Sequence, residues 1–266
     1  MPRKYVEVDG FAVNYFHTGR TTLPTVPPDL TRGRLMVYVH GAGGNGEYGR
    51  KFLEVLAEDH SPLALDFPGH GRSGGTESLG SVPEYGDFLD AFVRTLGLRP
   101  VVLVGHSMGG AVAIDFTLRH PEAVDALVLV ATAARFAVSP QRLDLWRDVM
   151  RGRRQQPFTR EAFSAATPES VVREGWAEQV KTDPRVRYFD LLACSRFDGA
   201  ARLAEIRKPA LVVCGRDDVM TPPALSEEIR DGIPGARLEV IADAGHALPL
   251  EKPQELGGAV RRFLSG

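Results

Sequence analysis

Six short apolar runs decide what this chain can fold into: Leu35–Val39, Pro62–Leu65, Val101–Val104, Ala126–Val130, Ala210–Cys214 and Leu238–Ile241. They lack the sustained polar–apolar alternation of a half-solvated strand, so each reads as a strand covered on both faces. Amphipathic segments lie between them, at 47–58, 83–97, 108–120, 222–231 and 253–264. Alternation of this kind predicts an α/β chain: a mostly parallel sheet with helices on both sides. Two further strands, Tyr5–Val8 and Ala12–Thr18, are expected ahead of it, joined by the turn dipeptide Asp9-Gly10. Residues 20–33, rich in Thr and Pro, read as a solvated loop. A chain of 266 residues can bury a large core without a metal or disulfide staple.

One interval breaks the rhythm. From Ala133 to about Ala201 no strand run occurs, while Ser139-Pro140, Thr167-Pro168 and Asp183-Pro184 each place a capping residue before a proline. This predicts an all-helical insertion of three or four helices, 133–201, in a core made of 1–132 and 202–266.

Gly-x-Ser-x-Gly occurs twice, as Gly105-His106-Ser107-Met108-Gly109 and as Gly71-Arg72-Ser73-Gly74-Gly75. Only Ser107 follows directly on an apolar strand run and opens a helical stretch, the strand-to-helix turn that exposes a nucleophile at the end of a sheet. Ser73 has neither neighbour and reads as a loop residue. A serine hydroxyl needs a base oriented by a third group. Of seven histidines, His246 stands in a loop just beyond the run Leu238–Ile241, where an open parallel sheet carries its chemistry. His40 and His106 sit inside glycine turns and read as positioning residues, and His70 is open to either role. Asp217 and Asp218 follow the run Ala210–Cys214, and at most one of an adjacent pair can reach the histidine. For a developing oxyanion, the backbone N–H of Met108 is one candidate donor. The turn His40-Gly41-Ala42-Gly43-Gly44 offers the other at Ala42.

Taken in order, His40-Gly41-Ala42-Gly43-Gly44, Asp66-Phe67-Pro68-Gly69-His70-Gly71-Arg72-Ser73, Gly105-His106-Ser107-Met108-Gly109-Gly110 and Gly245-His246 resemble the α/β-hydrolase fold superfamily over nearly the whole chain. The resemblance implies a Ser-His-Asp triad of Ser107, His246 and Asp218. In Gly215-Arg216-Asp217-Asp218 the family's acid falls at the fourth position, and its 28-residue spacing to His246 is similar too. It also implies that 133–201 is a cap over the site. Ser107 excludes the aspartate-nucleophile chemistry of haloalkane dehalogenases and epoxide hydrolases. Carbon–carbon bond hydrolases look similar at the acid loop but usually carry a tryptophan after the histidine, where this chain has Ala247. The expectation is therefore a carboxylesterase for small to medium uncharged acyl groups. Carbon–carbon hydrolysis of a diketone acid, lactone hydrolysis, perhydrolysis and, outside catalysis, a hydrolase-fold ligand sensor are the alternatives. Candidate pocket residues are His40, Gly41, His106, Trp146 and Leu248. The aromatics of the insertion, among them Phe136, Phe158, Phe163, Trp176, Tyr188 and Phe189, are expected mainly to pack its helices. An anion-attracting mouth and solvated helix faces both fit its many arginines, including Arg151, Arg153 and Arg154, and solvated faces are the reading taken.

Lys and Arg number 32 against 34 Asp and Glu, a net charge of −2 that offers no field for nucleic acid or an anionic membrane. The longest stretch free of those residues, Pro100–Ile114, is too short to cross a bilayer. Two cysteines, Cys194 and Cys214, make neither a disulfide framework nor a metal cluster. A cytoplasmic protein with no cofactor, no metal and a small-molecule ester as its partner is expected. The amino end, without an apolar core, is not read as a signal peptide, and the oligomeric state is left open.

Overall fold

A computed structural model describes residues Met1–Gly266. Its strands are β1 (Arg3–Val8), β2 (Phe11–His17), β3 (Leu35–Val39), β4 (Ser61–Leu65), β5 (Val101–His106), β6 (Val124–Val130), β7 (Ala210–Gly215) and β8 (Arg237–Ile241). They form one sheet in the order β1-β2-β4-β3-β5-β6-β7-β8. The first two pairings, β1–β2 and β2–β4, are antiparallel and every later one is parallel. Asp9 and Gly10 both adopt positive φ, 48° and 80°, the backbone that a two-residue hairpin turn demands.

Because side chains alternate across a strand, each apolar run feeds two cores. Val37, Val39, Leu103 and Val212 face one side with α2 (Val82–Thr95), α3 (Met108–Arg119) and α7 (Pro223–Gly232). Met36, Tyr38, Val102, Val104 and Val213 face the other with α1 (Arg50–Leu56) and α9 (Pro253–Ser265). Each such side chain, fully buried, is worth about 1.5–3 kcal/mol of transfer free energy. This double covering is why the runs show no alternation.

Between β6 and β7 lie three helices, α4 (Pro140–Met150), α5 (Glu169–Gln179) and α6 (Pro184–Arg196). Ser139 caps α4 by accepting from the Arg142 N–H, and Asp183 caps α6 by accepting from Arg185. The third start signal is displaced by one residue. Pro168 itself occupies the cap of α5 and Glu169 begins the helix, while the Thr167 hydroxyl bonds the Glu251 carboxylate instead. A short helix that the sequence pattern did not suggest, α8 (Leu248–Glu251), follows the His246 loop. No helix is long and apolar enough to cross a membrane.

Candidate active site

Ser107 stands at the junction of β5 and α3 with φ 54° and ψ −122°, a strained backbone for a residue carrying Cβ. The turn is held open by glycine. A Cβ on Gly105 would lie 2.6 Å from Gly110 Cα, and one on Gly110 would overlap the Thr132 side chain. The Ser107 N–H donates to the Val130 carbonyl at 3.0 Å, and its carbonyl accepts from Thr132 Oγ1 at 2.6 Å. Partners at the end of β6 and in the turn after it thereby hold the Ser107 backbone.

His246 Nε2 is 2.9 Å from Ser107 Oγ, and His246 Nδ1 is 2.9 Å from Asp218 Oδ2. Asp218 is itself fixed by the Met220 and Thr221 N–H groups on Oδ1 and by Thr221 Oγ1 on Oδ2. Burial raises its pKa, but His246 and the Thr221 donors prevail and hold the carboxyl below the usual range. Asp217 points elsewhere: exposed, it accepts from Ser164 Oγ at 2.5 Å. Ser73 also has another task, donating to the Asp66 carbonyl and accepting from the Asn14 N–H. Of the paired candidates in the sequence, the structure brings Ser107 and Asp218 to His246 and leaves Ser73 and Asp217 apart.

The turn after β3 passes against the serine, with a Cβ on Gly41 placed 3.0 Å from Ser107 Cβ. The Ala42 and Met108 N–H groups have no acceptor within the chain. Two free amides beside a nucleophile supply what a developing oxyanion requires. A cavity of about 320 Å³ opens over Ser107, Gly41, Ala42, His106 and His246, walled by Trp146, Phe136, Leu145 and Arg187 of the helical interval.

Two of the expected pocket residues lie outside this cavity. His40 is wholly buried, with Nδ1 at the Gly41 carbonyl, Nε2 accepting from the Phe67 N–H and its ring 4.7 Å from that of His70. Leu248 begins α8 and packs into the core, so its position after the base places it behind the site. Of the insertion's aromatics, Phe136 and Trp146 wall the cavity, Phe163 is buried, and Phe158 and Phe189 are exposed.

His106 both lines the cavity and holds the His246 backbone. Its Nε2 donates to the His246 carbonyl at 2.9 Å, and its ring stacks on Tyr48 at 5.6 Å and 16°. Burial, reinforced by the adjacent His246, lowers its pKa to about 3, so it remains a neutral donor at any ordinary pH.

A second cluster has no local sign in the sequence. Asp190, on α6, is fully buried and accepts four hydrogen bonds: from Gly43 N–H (2.7 Å), His70 Nε2 (2.8 Å), Ser78 Oγ (2.8 Å) and Tyr85 OH (2.5 Å). Burial opposes its charge, yet His70 and the other donors hold its pKa below the ordinary value. Burial opposes the His70 cation too, and Asp190 outweighs it, raising the histidine above 6.5. One helical turn earlier, Arg187 donates to the Gly43 carbonyl at 3.2 Å. Helix α6 thus grips Gly43, next to the Ala42 amide, at both its N–H and its C=O. Gly43 has φ 60°, and a Cβ there would run into the Arg187 side chain.

The sequence pattern described as the alpha/beta hydrolase fold matches residues 34–253. RutD of Rhizobium rhizogenes (strain K84 / ATCC BAA-868), provisionally named a carbamate hydrolase, is 29% identical over 252 residues, covering 89% of this chain and 94% of its own. A solved thermophilic esterase is 30% identical with a TM-score of 0.78, covering 99% of this chain and 97% of its own. The enol-lactonase of Burkholderia xenovorans LB400 superposes with a TM-score of 0.86 at 22% identity over 98% of this chain and 100% of its own, a likeness of fold. With the match spanning most of its length and the sheet order and elbow geometry in agreement, the chain belongs to the alpha/beta hydrolase fold family.

Proposed function

We propose that this protein is a serine carboxylesterase acting on esters of small to medium acyl chains. The observation that carries the reading is the unbroken relay from Asp218 through His246 to Ser107 beneath a walled cavity. In this mechanism Ser107 Oγ attacks the ester carbonyl while His246 Nε2 takes its proton. The carbonyl oxygen becomes an oxyanion facing the Ala42 and Met108 amides. Asp218 keeps Nδ1 protonated and stabilises the imidazolium without itself taking the proton. His246 then returns the proton to the departing alkoxide, leaving an acyl-serine. Water, deprotonated by the same Nε2, attacks this acyl group; its collapse releases the acid and restores Ser107. His106 serves as a positioning residue that fixes the His246 backbone, and interval 133–201 as a cap over the acyl site.

The choice of an ester over a carbon–carbon bond rests on sufficiency: ester hydrolysis needs only this relay and the amides. The similarity to a solved esterase at 30% identity supports it. An organophosphonate should add its mass to Ser107 alone, and Ser107→Ala should lower kcat for p-nitrophenyl butyrate by on the order of 10⁶. Labelling of Ser73, or a diketone acid turned over faster than every ester, would overturn the proposal.

A further inference from the structure

Two cations line the cavity, and only one of them is paired. Arg142 forms an ion pair with Glu161. Arg187 forms none. Its hydrogen bonds run to two neutral acceptors, Gln179 Oε1 at 3.3 Å and the Gly43 carbonyl at 3.2 Å, and its guanidinium lies 4.7 Å over the Trp146 ring. Asp190 favours the Arg187 cation coulombically but makes no direct bond to it, its two oxygens accepting from Gly43, His70, Ser78 and Tyr85. Tyr48, also facing Arg187, is driven by burial well above its usual pKa and remains a neutral phenol. Burial penalises the guanidinium itself, lowering its pKa to about 10, although it remains charged at neutral pH. A guanidinium has five donors in a planar fork matched to a carboxylate, and two of them are used here. A half-buried guanidinium with no carboxylate in direct contact is left able to form a charge-assisted pair with a bound anion.

We infer that Arg187 is the anion-reading residue of the Ser107 cavity and that the preferred substrate carries a carboxylate besides its scissile ester. Arg187 and Ser107 line the same cavity of about 320 Å³, so one small molecule can reach both. The guanidinium lies over the Trp146 ring, and its Nε bonds to nothing else in the chain. The inference rests on the ester-hydrolysing reading and changes the acyl group from the uncharged one expected from sequence. A carboxylate in the acid half and one in the alcohol half would meet the same fork.

The test compares p-nitrophenyl butyrate with mono-p-nitrophenyl glutarate, charged in the acid half, and with 4-butyryloxybenzoate, charged in the alcohol half. In the unmodified enzyme one charged ester should exceed the neutral one in kcat/KM. Arg187→Met should lower the ratio of kcat/KM for that charged ester to kcat/KM for p-nitrophenyl butyrate by about thirtyfold, the scale of a charge-assisted hydrogen-bonded pair, on top of the loss both esters share when the Gly43 carbonyl is released. Arg187→Lys should retain part of the preference. Should the Met variant fail to fold, Arg187→Gln keeps a donor for Gln179 and Gly43 and removes the charge. Calorimetry with glutarate, which needs no turnover, should show binding weakened at least about tenfold in the Met or Gln variant. Equal losses on charged and neutral esters, or glutarate binding indifferent to Arg187, would overturn the inference. If no ester is turned over but glutarate binding depends on Arg187, the ester reading falls and the anion site stands.

Discussion

The two halves of the site are built differently. The sheet-borne half consists of Ser107, Asp218 and His246, each on a loop at the carboxyl end of a strand; Ser107 is held from the turn after β6 and Asp218 by the next turn of its own loop, and the His246 side chain joins them. The half contributed by the helical interval consists of Asp190 and Arg187, whose side chains reach across to loops more than a hundred residues away, and Trp146, which lies beneath Arg187 and walls the cavity. In the proposed reaction the first half places the reacting atoms. The second presses on the turn that carries the Ala42 amide and sets the charge of the cavity. Chemistry and specificity are thereby separable: substitutions in one half should read out mainly in kcat, those in the other mainly in substrate preference and stability.

The largest expected effect breaks the sheet-borne half while leaving its backbone intact. Asp218→Asn should lower kcat by about 10⁴, as expected when the orienting acid is lost and the imidazole tautomer is no longer held. Asp217→Asn should leave kcat within about threefold, because an exposed side chain bonded to Ser164 contributes at most about 1 kcal/mol to stability. Steady-state kinetics on both variants checks the contrast. Similar losses from the two would mean that the acid loop acts as a unit and that no single carboxylate carries the role.

The other half should fail in a different way. Asp190→Asn removes the charge that raises the His70 pKa and obliges two of the four partners to reverse their hydrogen bonds or lose them, at a cost of about 3–5 kcal/mol. For a chain of this size that corresponds to roughly 10 °C in Tm. The folded Asp190 has a depressed pKa, so its contribution is present above the ordinary carboxylate value of 3.8 and is lost as pH falls through the folded value. The folded His70 has a raised pKa, so its contribution is full below 6.5 and is lost as pH rises through the folded value. The gap in Tm between the parent and Asp190→Asn should therefore be widest between pH 3.8 and 6.5 and narrow above it. Melting curves from pH 5 to 9 that show a constant gap would mean His70 is neutral throughout. At neutral pH kcat should also fall, by about tenfold with KM little changed, because Gly43 no longer holds Ala42 in register.

What could be read from the sequence follows this same division. The strand runs, the elbow, the base and the acid loop are local signals. Val101–Val104 leads into Gly105-His106-Ser107, and a few residues suffice to specify each turn. Asp190 and Arg187 have no such signal. On α6 they alternate with Val186, Tyr188 and Phe189, and only the folded chain shows that Asp190 meets His70, 120 positions away. His40 and Leu248 were misplaced for a related reason. Adjacency to a functional motif gives nearness along the chain, but a tight glycine turn aims His40 inward, and the unforeseen helix α8 carries Leu248 into the core. Thr167-Pro168 failed because a proline after a capping residue is ambiguous by one position, and the Glu251 carboxylate drew the threonine hydroxyl away.

The smallest expected effect sharpens the boundary between the halves, because the cavity is walled by both. At about 320 Å³ it is at the low end for small-molecule sites, and its apolar wall comes mostly from Phe136, Leu145, Trp146 and Leu191. Other apolar side chains of the interval, Phe163 and Val172, are buried in packing against Tyr48 and Leu250 and so line no extended tunnel. Each methylene that enters the cavity gains about 0.8 kcal/mol, or roughly fourfold. Over a series of p-nitrophenyl esters kcat/KM should climb by that factor while the chain fits, then level or fall at around four to eight carbons. Trp146→Ala, which also removes the ring beneath Arg187, should move the turnover point to longer chains. A rate still rising at about sixteen carbons would mean that the helices part to admit the chain, making the second half a moving lid instead of a fixed wall.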